Sequence, residues 1–276
     1  SRSSSGVLFG FSAGTGFGVS SVFTASSGSV ISAGTGTGSS ADTAGSGSSS
    51  NSVSASTSSY SCSSYVFRSS KEDSYEGWAG HYDLVKLNLQ NDVVSSHLLD
   101  AVKFWIDEFD IDGIRLDAAD VLDHGFMQAL RSFTTPLKSD FWLMGEVIHG
   151  NYSMWANDQK LHSVTNYELH KALYSGHNDH NYFEIAHNVK RMFENCRNIK
   201  LYSFVDNHDV SRIASKLNNK LHLAPVSVLE YALPGIPSIY YGSEFAITGE
   251  KQNGDDWNLR PDLILEDFLD NQFWFG

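Results

Sequence analysis

The chain has 276 residues, a formal net charge of −13 and an aromatic content of 13%. Nucleic acids and anionic membrane surfaces recruit basic proteins, so the acidic charge argues against both as partners and favours a neutral ligand. No apolar run approaches the roughly 20 residues that span a bilayer, and residues 1–5 lack the apolar core of a signal peptide. The length fits one (β/α)-barrel domain, which takes roughly 250 residues.

The two cysteines, Cys62 and Cys196, lie in parts of the chain that differ in composition. They predict no disulfide framework and favour a reducing compartment. We therefore expect a cytoplasmic location, with secretion as the alternative if the natural chain starts upstream of Ser1.

The composition changes sharply near residue 70. Residues 1–70 consist mainly of Ser, Gly, Thr and Ala, and their ionised side chains are Arg2, Asp42 and Arg68. Such a segment cannot bury enough apolar area to offset the entropy of ordering it, so we predict that it is flexible or poorly packed. Two apolar patches within it, 7–11 and 19–23, predict weak strands. A linker, a glycosylated Ser/Thr stalk and translation of another reading frame are the alternative interpretations.

Residues 71–276 predict alternating helices and strands. In chain order these are a helix capped by Ser95 or Ser96 and ending near 109, a strand at 113–116, a helix at 122–137, strands at 141–145 and 163–166, a helix at 182–193, a strand at 201–205, a helix at 221–231 and a strand at 236–241. Helices between fully apolar strands predict a parallel sheet covered by helices. Acids after several strands favour a barrel over a doubly wound sheet, whose Gly-rich turn is absent here. We expect a partial (β/α)8 TIM barrel over 71–276, with about strands four to eight legible.

Three predicted strands end in carboxylates: Asp117, Glu146 and Asp209. The carboxyl ends of barrel strands meet at one face, so these groups can converge on one site. Glycosidic hydrolysis needs one carboxylate that attacks the anomeric carbon or steers water, and a second carboxyl group that protonates the leaving oxygen. Asp117 and Glu146 fit those roles, and Asp209 with His208 would face the positively charged transition state. Each acid alone also fits a helix cap.

The surroundings of the first two acids support this interpretation. Arg115 stands two residues before Asp117 on the same face of a strand, where its charge can keep Asp117 ionised, as a nucleophile requires. An ordinary strand-end salt bridge is the alternative. Glu146 follows an apolar run, and partial desolvation there would raise its pKa toward that of a general acid.

Other polar residues carry weaker signals. Trp78 and His81 fit a sugar-binding platform or, equally, a loop packed on the barrel rim. Asp206 is expected to orient its neighbours rather than react. The eleven histidines show none of the ligand spacings of zinc enzymes, so no metal site is predicted.

The three acid-containing segments resemble signature regions of the α-amylase family, glycoside hydrolase family 13. They are residues 112–117 (DGIRLD), 145–147 (GEV) and 204–209 (FVDNHD). Residues 235–244 (GIPSIYYGSE) resemble the family's eighth barrel strand. Residues 84–88 (LVKLN) resemble an accessory motif of the neopullulanase and cyclomaltodextrinase type.

The resemblance implies Asp117 as the nucleophile, Glu146 as the general acid/base and Asp209 as the acid that stabilises the transition state. It also implies supporting roles in substrate binding for Arg115, Asn207 and His208. The implied reaction is retaining hydrolysis of α-glucosidic bonds through a covalent glycosyl-enzyme. Maltooligosaccharides, cyclodextrins and α-glucans are the implied substrates.

The chain departs from the family pattern at its N-terminal end. The first signature, Asp-x-Val-x-Asn-His, has its nearest counterpart in residues 5–10 (SGVLFG), which lack the acid, the histidine and the Asn that often binds calcium. The resemblance thus allows a calcium ion, but its usual ligand is not found here. Barrel strands one and two have no counterpart either. The alternative function is a truncated, inactive barrel fragment that binds sugar weakly or not at all.

Overall fold

The computed structural model describes residues 8–11, 64–66, 75–252 and 256–268. In these residues the strands are β1 (Leu8–Phe11), β2 (Gly77–Trp78), β3 (His81–Val85), β4 (Gly113–Leu116), β5 (Trp142–Gly145), β6 (Ser163–Val164), β7 (Tyr202–Phe204) and β8 (Ile236–Ser238). The α-helices are α1 (Asp92–Phe109), α2 (His124–Leu137), α3 (Tyr167–Asn178), α4 (Phe183–Asn195), α5 (Ile213–Lys216) and α6 (Leu223–Ala232).

Six of these strands run parallel in barrel order. Strands β1, β4, β5 and β6 are neighbours in one sheet, and β7 pairs with β8 in another. A parallel bridge between Thr165 and Tyr202 joins the two sheets. An α-helix precedes each of β4, β5, β7 and β8, as β–α–β crossovers require, whereas a single 3-10 turn (Tyr152–Met154) lies between β5 and β6. The carboxyl ends of β4, β5 and β7 therefore point the same way, which brings the residues after them to one face.

The core forms between the sheet and its helices. Ile114 of β4, Leu130 of α2 and Leu143 of β5 have no exposed surface, and each belongs to the larger apolar cluster. A second cluster joins α3, α5 and α6 through Leu173, Ile213 and other buried side chains. Burying a side chain of this size contributes roughly 1.5–3 kcal/mol, so these clusters fix the strands that carry the acids.

The predicted cap of α1 is wrong. The helix begins earlier, at Asp92, because the Asn91 carboxamide accepts from the backbone N–H of Val93 at 2.9 Å. That acceptor satisfies an N–H group which the first turn leaves without an intrahelical partner. The hydroxyl of Ser95 donates instead to the Leu89 carbonyl at 2.5 Å.

Other boundaries differ by one to three residues. Helix α2 begins two residues late because Asp123 caps it, α4 ends two residues beyond the prediction, and β8 stops at Ser238 instead of 241. Helices α3 and α5 and the antiparallel pair β2–β3 are not among the elements predicted from the sequence. Helix α3 is capped by Asn166, whose carboxamide accepts from the backbone N–H of Leu169 at 3.1 Å.

The Ser/Gly-rich segment contains described residues. Strand β1 confirms the strand predicted at 7–11 and pairs with β4, with Leu8 opposite Gly113. The patch at 19–23 lies outside the described residues, and the division at residue 70 stays a prediction. Within the described part of the chain, no helix is long and apolar enough to cross a bilayer.

Candidate active site

Arg115 joins two of the predicted catalytic acids. Its side chain leaves β4 two residues before Asp117, and Nη1 lies 2.8 Å from Oδ1 of Asp117. Its second terminal nitrogen, Nη2, lies 3.0 Å from Oε2 of Glu146. The side chain of Asp117 is 34% exposed, while those of Arg115 and Glu146 are only 16% and 12% exposed. One guanidinium thus holds both carboxylates at the carboxyl ends of β4 and β5.

Glu146 lies in the most enclosed position of the three acids. Burial raises the pKa of its carboxyl group, the charge of Arg115 opposes that effect, and the nearby charge of Asp117 reinforces it, so that the net pKa is raised. The backbone N–H of Ala118 donates to Oε2 at 3.3 Å. Ala118 has a φ of 43°, a left-handed conformation that is uncommon for a residue with a Cβ.

A tyrosine from α3 completes the surroundings of Glu146. The hydroxyl of Tyr167 donates to Oε1 of Glu146 at 3.0 Å. The same hydroxyl accepts from Nδ2 of Asn207 at 3.3 Å. Glu146 and the segment after β7 are therefore connected through one side chain.

Asp209, the third predicted acid, is held by a turn and by the side chains of a histidine and an arginine. Its backbone N–H donates to Oδ1 of Asn207 at 2.8 Å, which fixes the turn after β7. His208 Nε2 lies 3.0 Å from Oδ2, and Arg260 Nη2 lies 3.4 Å from Oδ1. Burial raises the pKa of Asp209, but the hydrogen bond and charge of His208 and the charges of Arg115 and Arg260 outweigh it. The net pKa is lowered, so the group stays ionised.

Asp206 has a different environment from Asp209. It is 1% exposed, and its carboxylate accepts from the backbone N–H of Ile213 at 2.8 Å and from the Ser243 hydroxyl at 2.7 Å. These bonds tie the loop after β7 to α5 and to the segment after β8. The contacts agree with the expectation that Asp206 orients its neighbours.

The two predicted platform residues lie on the β2–β3 pair. Trp78 and Asp117 line one cavity of about 440 Å³. The Trp78 ring is 43% exposed and stacks on His81, with ring centroids 6.0 Å apart and an interplanar angle of 20°. The structure therefore places Trp78 in the wall of the same cavity as Asp117. His81 does not line that cavity and contacts the Trp78 ring.

No group of three or more His, Cys, Asp or Glu side chains in the described residues is arranged to hold a metal ion. The carboxylates of the site are instead engaged by protein cations and hydrogen-bond donors. The arrangement is suited to proton transfer and charge stabilisation by the side chains themselves.

Two residues that contact the predicted acids, Tyr167 and Arg260, are not predicted from the sequence. Tyr167 begins α3, a helix that the sequence signals through the Asn166 cap and through Leu169 and Leu173 at helical spacing. Arg260 lies 51 residues after Asp209, and no local pattern connects them.

Comparison with known proteins finds one matching family model and several similar sequences. A family model described as "Alpha amylase, catalytic domain" matches residues 48–271. The Intracellular maltogenic amylase of Bacillus subtilis (strain 168) is 32% identical over 207 residues, which are 73% of this chain and 34% of that protein. A Cyclomaltodextrinase of Geobacillus thermopakistaniensis is 28% identical over 208 residues, again 73% of this chain and 34% of that protein.

A solved structure matches as well. The maltogenic amylase from S. marinus superposes with a TM-score of 0.59 and 30% identity, covering 68% of this chain and 27% of that one. The chain thus spans about a third of the length of the curated relatives it matches. The comparison confirms the predicted fold, a partial (β/α)8 barrel.

Proposed function

Because the chain belongs to the α-amylase family, we propose that it is a retaining α-glycosidase acting on maltooligosaccharides, cyclodextrins or α-glucans. The relatives named maltogenic amylase and cyclomaltodextrinase support this substrate class. The observation that carries the proposal is the contact of one guanidinium, that of Arg115, with both Asp117 and Glu146. A shared guanidinium favours the short carboxyl separation, roughly 5–5.5 Å, that a retaining mechanism uses.

In the first step Asp117 attacks the anomeric carbon. A carboxylate oxygen of Asp117 forms a bond to that carbon while the bond to the glycosidic oxygen breaks. Glu146 gives its proton to the departing oxygen, and a covalent glycosyl-enzyme results. The 2.8 Å contact with Arg115 holds the Asp117 carboxylate in place for this attack.

In the second step Glu146, now ionised, acts as a base. It takes a proton from a water molecule, whose oxygen bonds to the anomeric carbon and displaces Asp117. The configuration at that carbon is retained because two displacements occur. Burial of Glu146 raises its pKa, which favours the protonated form that the first step needs.

Asp209 and its neighbours act on the positive charge that develops on the sugar in the transition state of each step. The transition state resembles an oxocarbenium ion, and a fixed, ionised carboxylate stabilises it. The lowered pKa of Asp209 keeps that charge in place. We assign substrate contacts to Asn207, His208 and Arg115, and a sugar-facing platform to Trp78 with His81 behind it.

We propose that the protein is cytoplasmic, in agreement with the name Intracellular maltogenic amylase of the Bacillus subtilis relative.

The test replaces the nucleophile. Asp117→Asn should reduce turnover of an aryl α-maltoside to background while circular dichroism shows an unchanged fold. The control is Asp100→Asn, the same change at an exposed position on α1, which should keep wild-type activity. Proton NMR of the first product should show the α-anomer. Unchanged turnover in Asp117→Asn, or a β-anomer from the wild type, would remove the proposed mechanism. An inactive wild type would instead support the truncated-fragment alternative.

A further inference from the structure

Tyr167 lies between two parts of the site, the residue that follows β5 and the loop that follows β7. Its hydroxyl donates to Oε1 of Glu146 at 3.0 Å and accepts from Nδ2 of Asn207 at 3.3 Å. Glu146 follows β5, and Asn207 follows β7. Through Asn207, whose Oδ1 accepts from the backbone N–H of Asp209 at 2.8 Å, the link reaches the third acid.

The ring of Tyr167 is fixed by packing, so its hydroxyl has a defined direction. It meets Phe204 edge to face, with centroids 4.9 Å apart and an interplanar angle of 81°. His170, buried one turn along α3, stacks on Phe204 with centroids 5.0 Å apart and meets the Tyr167 ring edge to face at 6.3 Å. The helix itself starts at Tyr167 because Asn166 caps it. A hydroxyl on a packed ring at a capped helix start has little freedom to turn away from Glu146.

We infer that Tyr167 is a positioning residue that orients the Glu146 carboxyl group toward the leaving oxygen and couples it to the turn bearing Asp209. The inference rests on the proposed function, because it assigns Tyr167 a part in proton delivery by Glu146. Arg115 and the Ala118 N–H both engage Oε2, whereas Tyr167 engages Oε1. The two oxygens of the carboxyl group are thus held by different partners, and Tyr167 is the one that holds Oε1.

Loss of the hydroxyl has a defined electrostatic effect. A donor to a carboxylate favours its ionised form, so the hydrogen bond from Tyr167 lowers the pKa of Glu146 against the larger effect of burial. Without that bond the pKa of Glu146 rises. The carboxyl group also loses the contact that holds Oε1, and only the contacts to Oε2 remain to orient it.

The variant that isolates this effect is Tyr167→Phe. It retains the ring and its contact with Phe204, so the packing that fixes α3 is preserved. The matched control is Tyr174→Phe on the same helix. The Tyr174 ring lies under Lys216, 4.1 Å from the ammonium nitrogen, and it contacts none of the three acids in the structure. Thermal unfolding followed by circular dichroism establishes that both variants fold.

The kinetic readout compares two leaving groups. A dinitrophenolate departs without a proton, whereas a sugar hydroxyl needs one from Glu146. In Tyr167→Phe, kcat/KM should fall at least about tenfold on maltotriose, a part of the roughly 10²–10⁴-fold that general acid catalysis supplies. On dinitrophenyl α-maltoside the fall should be less than about twofold. Equal losses on both substrates would overturn the inference, because they indicate a general structural defect.

A second measurement does not depend on enzymatic activity. The carboxyl carbon of Glu146 can be followed by NMR in protein labelled at glutamate δ-carbons, and Glu146→Gln assigns its signal. Its pKa should be higher in Tyr167→Phe than in the wild type and in Tyr174→Phe. Identical values in all three proteins would overturn the inference. A wild type that hydrolyses neither substrate removes the proposed function, while the NMR comparison still decides whether Tyr167 holds the carboxyl group of Glu146.

Discussion

Arg115 gives the sharpest prediction about the site, because it is the one cation that contacts both Asp117 and Glu146 in the described structure. Replacing it by Met removes the charge and keeps most of the side-chain length. Breaking a buried ion pair costs roughly 3–5 kcal/mol, while exposed pairs are worth about 0–1 kcal/mol. The pair with Glu146 is the more enclosed one, and solvent screens the pair with Asp117. We expect a loss of about 3 kcal/mol in the free energy of unfolding near neutral pH.

The loss should depend on pH in a defined direction. The charge of Arg115 opposes the effect of burial on Glu146, so without it the pKa of Glu146 rises further above its ordinary value of 4.5. A carboxyl group whose pKa is raised in the folded state destabilises the fold once it ionises. That destabilisation is absent below the ordinary pKa, grows as the pH rises from the ordinary to the raised pKa, and is complete above the raised one.

The assay is urea unfolding of wild type and Arg115→Met at about pH 4.5 and about pH 7.5. The deficit of the variant should be clearly larger at the higher pH. Lys103→Met is the control, because Lys103 forms an exposed pair with Asp107 on α1 and should change stability by less than about 1 kcal/mol at either pH. An equal deficit of Arg115→Met at both pH values would refute the reasoning.

Two further predictions concern the backbone and the support of the site. A Cβ added at Gly145 would lie 2.7 Å from the Cβ of Ala119, so Gly145→Ala should cost about 1–3 kcal/mol in urea unfolding; an unchanged midpoint would contradict this contact. Asp206→Ala removes the acceptor for the Ile213 N–H and the Ser243 hydroxyl. It should lower the free energy of unfolding by roughly 1.5–3 kcal/mol, and a neutral result would show that neither bond matters.

Local sequence signals predict the parts of the site that lie on single strands. Asp117 and Glu146 each follow a short apolar run, and β4 and β5 end directly before them. Arg115 is predictable for the same reason, since the two-residue period of a strand places it on the side of Asp117. Parallel strands with helical crossovers then bring these residues together, so the sequence predicts their convergence.

Other parts depend on contacts between distant segments. Leu8–Phe11 forms a strand within a Ser/Gly-rich segment because it pairs with β4, a partner that its own composition does not reveal. Tyr167 and Arg260 contact Glu146 and Asp209 across 21 and 51 residues of chain. Only the packed structure defines such pairs, since no periodic pattern extends over those distances.

The central claim is that Asp117 forms the covalent bond to the sugar. Incubation with a fluorinated α-glucoside that slows the second step should increase the intact mass by one fluoroglucosyl group. Proteolysis and tandem mass spectrometry should place that group on Asp117, and Asp117→Asn should stay unlabelled. Labelling of another carboxylate, or an active wild type that never accumulates an adduct, would contradict the account.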